Sequence, residues 1–116
     1  MDDLTEHVWL GPDGLVRLRA LDGSDPTDWS SDEVRAVARA LLACAAGATD
    51  RPSRPVNRNE QGVFTVGDDG PSAFDCGGAI GVRAVAADGG PCTLSASEAR
   101  QFAAALITLS DEYDSQ

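Results

Sequence analysis

The sequence predicts an α+β domain in which a ββα unit occurs twice. In that ββα-ββα order, four antiparallel strands form one sheet and two helices cover one of its faces. Three observations carry the expectation. Residues 16–42 align with residues 82–107 once a single gap is allowed: Val16, Asp22, Gly23 and Pro26 match Val82, Asp88, Gly89 and Pro91, and Ser30, Glu33 and Leu41 match Ser95, Glu98 and Leu106. Each copy carries a Ser-x-x-Glu helix start. Each also holds a glycine- and aspartate-rich turn beside short apolar stretches. One such unit is too small to bury its own apolar face, whereas two can bury each other's.

The first unit opens with HVWL-GPDG-LVRLRAL, in which apolar stretches flank a four-residue turn and predict a hairpin with strands near 6–10 and 15–21. In the second strand Leu15, Arg17 and Arg19 alternate with Val16, Leu18 and Ala20, so one face is apolar and the other carries arginines. After the loop DGSDPTDW a helix starts at Ser30. Its hydroxyl and the Glu33 carboxylate form a capping box, with Trp29 and Val34 at hydrophobic-staple positions. Val34, Val37, Leu41 and Cys44 make the buried stripe, and Gly47 ends the helix.

Residues 48–61 read as a linker rich in proline and arginine, with Pro52 and Pro55 acting as a stiff spacer. The second unit, residues 62–116, repeats the plan. VFTV-GDDG mirrors HVWL-GPDG, a strand is expected over 81–87, and Ser95 with Glu98 repeats the capping box. Ala99, Phe102, Leu106 and Leu109 repeat the stripe. Asp111, Glu112 and Asp114 oppose the helix dipole, so the helix is expected to end near Ser110. Val37 and Leu41 should pack against Phe102 and Leu106 or the sheet, about a pseudo-two-fold axis. All of this makes one domain, residues 1–116, with units 1–47 and 62–116. The copies differ at PSAFDCGGAI, residues 71–80, which reads as a loop inserted in the second copy.

Composition narrows the function. The chain has 116 residues and a net charge of −10, with 19 acids against nine arginines and no lysine. Such a surface repels nucleic-acid phosphates and anionic membranes and favours basic protein surfaces. Hydrophobic content of 42% fits a folded core rather than a disordered chain. Cys44, Cys76 and Cys92 are an odd number without a Cys-x-x-Cys pair, which predicts thiols in a reducing, cytoplasmic setting.

No reactive constellation emerges, and no catalytic residue, cofactor or metal is expected. Asp22, Asp25 and Asp28 fall short of the oxygen set a Ca²⁺ loop requires. His7 is the only histidine, which leaves zinc without ligands and Ser or Cys nucleophiles without a second candidate base. Asp75 would raise rather than lower the pKa of the adjacent Cys76 thiol. GGAIG lacks the lysine of a phosphate loop.

Surface recognition is what remains. The expected partner-binding residues are Asp22, Asp25 and Asp28 in the acidic loop, with Phe74 and Asp75 in the inserted segment. The function expected is a small non-enzymatic protein-binding module that engages a host or cognate protein, basic or DNA-binding. Two alternatives are a DNA mimic and a structural homo-oligomer, a homodimer in its simplest form. Mimicry requires the acids to gather on one face, because duplex DNA carries a charge about every 1.7 Å of its axis.

The segments WSSDEVRAVARALLACA and LSASEARQFAAALITLSDEYD resemble the helix endings of small proteins from actinobacteria and their phages. Those proteins pair a short β-hairpin with a helix of L-[ST]-x-x-EAR type. The resemblance covers about a third of the chain. It implies the hairpin–helix plan and an accessory protein of a phage or mobile element, and it implies no activity.

Overall fold

The computed structural model describes residues 8–19, 27–50, 54–67, 70–75, 79–83 and 91–115. Their order is β1 (Val8–Leu10), β2 (Val16–Leu18), β3 (Thr27–Trp29), α1 (Ser31–Ala45), β4 (Val56–Arg58), β5 (Phe64–Val66), β6 (Ser72–Asp75), β7 (Ile80–Arg83), β8 (Cys92–Leu94) and α2 (Ala96–Asp114). The α+β class and the antiparallel pairing are as expected. The single four-stranded sheet is not. Among the described residues eight short strands form a three-stranded sheet, β1-β2-β8, and a five-stranded sheet, β3-β7-β6-β5-β4.

Nor does each half fold as its own ββα unit, because strands are exchanged between the halves. β8, which leads into α2, pairs with β2 through Val16↔Leu94 and Leu18↔Cys92. β3, which leads into α1, pairs with β7 through Trp29↔Ile80 and Thr27↔Val82. The hairpins match as well: Val8↔Leu18 and Leu10↔Val16 in the first sheet correspond to Ala73↔Val82 and Asp75↔Ile80 in the second. β6 therefore stands where β1 stands, and Trp9 corresponds to Phe74. The expected equivalence of VFTV with HVWL is overturned. VFTV supplies β5, which together with β4 forms a hairpin without a counterpart among the described residues of the first half. Residues 72–75, expected in an inserted loop, are strand β6. The expected linker holds β4 and is bonded along α2.

Both helices start where the capping boxes place them. Ser30 Oγ accepts the Glu33 N–H at 3.2 Å while the Ser30 N–H donates to Glu33 Oε1 at 3.0 Å. Ser95 and Glu98 repeat this at 3.2 and 2.8 Å. Trp29 and Leu94 are buried at the staple positions. Val34, Val37, Leu41, Ala99, Phe102, Leu106 and Leu109 all join one core with Val16, Leu18, Ile80 and Val82. Cys44, expected in the stripe, is only half-buried.

α2 runs past its expected end at Ser110 to Asp114. The acids that oppose its dipole are neutralised from elsewhere. Arg35 Nη2 lies 3.1 Å from Asp111 and 2.6 Å from Asp114, and Arg58 holds Glu112 through Nη1 and Nη2 at 2.9 and 2.6 Å. These pairs hold the Glu112 and Asp114 carboxyls below their ordinary range, chiefly through the hydrogen bonds from Arg58 and Arg35. Arg35 near the start of α1 thus meets the end of α2, and Asp50 beyond α1 meets Arg100 near the start of α2. The helices are antiparallel. Among the described residues no helix is long and apolar enough to cross a membrane.

Candidate functional site

α1 packs on β1, β2 and β3, and α2 packs on their counterparts β6, β7 and β8. The β4–β5 hairpin breaks this correspondence. β5 pairs with the outer edge of β6 through Phe64↔Ala73 and Thr65↔Ser72, and β4 pairs with β5. The same hairpin lies along one side of α2. Arg54 donates to Glu98 Oε2 from its backbone N–H at 2.8 Å and from Nε at 2.7 Å. The Val56 N–H reaches Gln101 Oε1 at 3.4 Å, and Arg58 holds Glu112. Arg58 also stacks over Phe64, 4.7 Å from the ring centre.

In the first half the corresponding surface is bare among the described residues. Among the described residues no strand pairs with the outer edge of β1. Glu33 is exposed where its counterpart Glu98 is 0% exposed. Ala40 and Cys44 are half-buried where Ala105 and Leu109 are buried. Glu33, Ala36, Ala40 and Cys44 recur about one helical turn apart and so form one stripe along α1. The stripe meets the open edge. Leu10, 42% exposed in β1, brings its Cδ2 within 3.4 Å of where a side chain on Gly47 would begin, at the end of α1. In the second half the counterparts of Leu10 and Gly47 are Asp75 and Glu112, whose charges act on each other. Edge and stripe form one continuous flank.

The edge of β1 is equipped to pair. The Gly11 N–H donates to Leu15 O across the hairpin at 2.9 Å. Backbone groups of an antiparallel strand alternate in direction, so those of Val8 and Leu10 face away from β2. Gly14, at φ +81°, supplies the left-handed step that this turn requires. On the outer face of the sheet Trp9, Arg17 and Thr93 stand in one cross-strand row, with Arg19 5.7 Å from the Trp9 ring centre. Arg17 Nη2 is paired with Asp13 at 2.9 Å, which holds that carboxyl below its ordinary value, and Arg17 Nη1 is buried without a hydrogen-bond partner.

No protein-family model, curated protein or solved structure matches this chain.

The residues singled out from the sequence are only partly brought together. Asp22, Asp25, His7 and Cys76 lie outside the described residues, and of Asp28 only the backbone is described. Asp28 and Phe74 both stand opposite Gly81, on its two sides, in one cross-strand row of the five-stranded sheet. Phe74 is half-buried and Asp75 is exposed at the end of β6. Among the described residues, Asp13, Asp50, Glu98, Asp111, Glu112 and Asp114 are paired with arginines. Burial pushes the Cys44 thiol above its ordinary pKa, which disfavours the reactive thiolate. Among the described residues no three His, Cys, Asp or Glu converge as metal ligands. The β1–α1 flank escaped sequence reasoning because its signal is a missing cover. The usable clue was Arg54 and Arg58 in a segment read as a spacer.

Proposed function

We propose that this chain is a small, non-enzymatic protein-binding module, an accessory protein that engages a host or cognate protein in the cytoplasm through the β1–α1 flank of its first half. One observation carries the reading: the β4–β5 hairpin covers a strand edge and a helix side in the second half, and the equivalent surface of the first half, with Leu10 exposed upon it, has no such cover among the described residues. An open strand edge beside an apolar stripe is a liability unless something pairs with it. We further read the halves as two copies of one βββα plan with exchanged strands, the first copy having kept its flank free for a partner. The pairing of acids with arginines among the described residues speaks for association by shape and backbone pairing over imitation of a DNA phosphate array.

The test is capture from an actinobacterial lysate with two baits, the native chain and its Leu10→Pro variant. Proline removes the outward N–H of residue 10 while leaving the ladder to β2 intact. A protein retained by the native bait and lost from the variant supports the module. Equal retention by both baits, or none by either, counts against this flank.

A further inference from the structure

We infer that the β1–α1 flank accepts a basic β-hairpin from another protein, whose inner strand adds antiparallel to β1 and whose outer strand brings an arginine or lysine to Glu33. The inference rests on the protein-binding reading above and names the chemistry of the partner. Its template lies within the same molecule. In the second half, β5 adds to β6, the counterpart of β1, and β4 follows it along α2. The residue just ahead of β4, Arg54, reaches the capping-box carboxylate of α2 with its backbone N–H and its side chain. Three parts of that receptor have a counterpart in the first half, whereas Ala36 and Gly47 stand where Gln101 and Glu112 stand. The strand edge is β1, the helix side is Ala36 and Ala40, and the capping-box carboxylate is Glu33. Glu33 spends Oε1 on the Ser30 N–H, as Glu98 spends Oε1 on the Ser95 N–H. Among the described residues Oε2, the atom that takes Arg54 in the second half, accepts no hydrogen bond at Glu33.

Charge and size agree with a basic occupant of modest bulk. Asp32 and Glu33 are both exposed in the first turn of α1, on a chain of net charge −10. A cationic segment is drawn to such a site and an acidic one is repelled. The stripe of Ala36 and Ala40 leaves room for a backbone to lie close against the helix. Main-chain pairing supplies affinity in strand addition, and the side chains at alternate positions supply selectivity. Here selectivity falls on the residue that meets Glu33.

The probe is a labelled synthetic peptide with the sequence of residues 54–67, added in trans to the intact protein and followed by fluorescence anisotropy. The tethered hairpin holds its own site on α2 at an effective concentration in the millimolar range, so the added peptide is directed to the open flank. Saturable binding is expected, at least tenfold weaker for Leu10→Pro and several-fold weaker for Glu33→Gln. The Glu33→Gln effect should vanish when the peptide itself carries Arg54→Ala, which a merely structural effect of Glu33 would not do. Glu33 is exposed, so that arm stands even where Leu10→Pro fails to fold. Binding indifferent to both substitutions overturns the proposal, and so does the absence of saturable binding. Self-association of the native chain in sedimentation equilibrium, abolished by Leu10→Pro, also overturns it, because the occupant is then a second copy. Should the peptide fail while the two-bait capture still separates native from variant, the module stands and only its basic-hairpin partner falls.

Discussion

Glu33 and Glu98 close the same capping box at the same place in two corresponding helices, one in solvent and the other fully buried. The motif is local and needs only the first turn of each helix. Burial is not local. Glu98 tolerates it because Ser95 and Arg54 supply hydrogen bonds to both carboxylate oxygens. Glu33 has its own cap bond and stays exposed. The difference shows that helix start and helix environment are separate decisions, and that the second depends on chain brought in from forty-odd residues away.

The largest test of that contrast removes each carboxylate. Glu98→Ala should cost about 3–5 kcal/mol, the scale for breaking a buried charged pair. Glu33→Ala should cost no more than about 1 kcal/mol, the scale of an exposed cap. Urea denaturation measures both, and losses of equal size would erase the contrast.

Core positions should show the opposite pattern, equality between halves. Leu41 and Leu106 correspond and are both 0% exposed. Leu41→Ala and Leu106→Ala should each cost about 2–5 kcal/mol. A thermal midpoint unmoved by Leu41→Ala would remove the buried face of α1.

Acid titration sharpens the comparison through charge. Burial pushes the Glu98 pKa up, but the bonds from Arg54 and Ser95 outweigh burial and leave it below its ordinary value. A carboxyl lowered on folding contributes stability that is complete above the unfolded value of about 4.3 and is lost as pH falls through the folded value. The native chain should therefore lose stability below about pH 4. Glu98→Gln should start lower and lose less over the same range. Chemical denaturation at stepped pH reads both curves.

The smallest effect belongs to Arg58. Its pair with Glu112 is about two-fifths exposed on both sides. Arg58→Ala should cost about 1 kcal/mol or less. The ionic share of that cost should fade in 1 M salt, where the Debye length is about 3 Å. A loss that persists undiminished at high salt would assign the contribution to stacking on Phe64 instead.

How far the fold was legible depended on the range of the forces involved. The capping boxes, the stripe of Val34, Val37 and Leu41, and that of Ala99, Phe102, Leu106 and Leu109 were readable because their partners lie within a few turns of the same helix. Strand partners were not. A three-residue strand such as β1 or β5 carries too little pattern to choose between neighbours. VFTV resembled HVWL in sequence, yet β6 is the strand that took the place of β1. The end of α2 was misjudged for a related reason, since Arg35 and Arg58 neutralise acids that looked unfavourable when read alone. The candidate site was the least legible part, because it consists of a cover that the second half has and that is missing among the described residues of the first.

The amino-acid order by itself determined where each helix begins and which faces of the helices are apolar, both consequences of contacts between near neighbours and of apolar area that has to leave water. Only the tertiary structure decided that the halves exchange strands, that Arg54 reaches a buried Glu98, and that among the described residues nothing covers the β1–α1 flank. Those outcomes depend on which distant segments win the competition for a shared core and a limited number of strand edges, and no local pattern records the result of that competition.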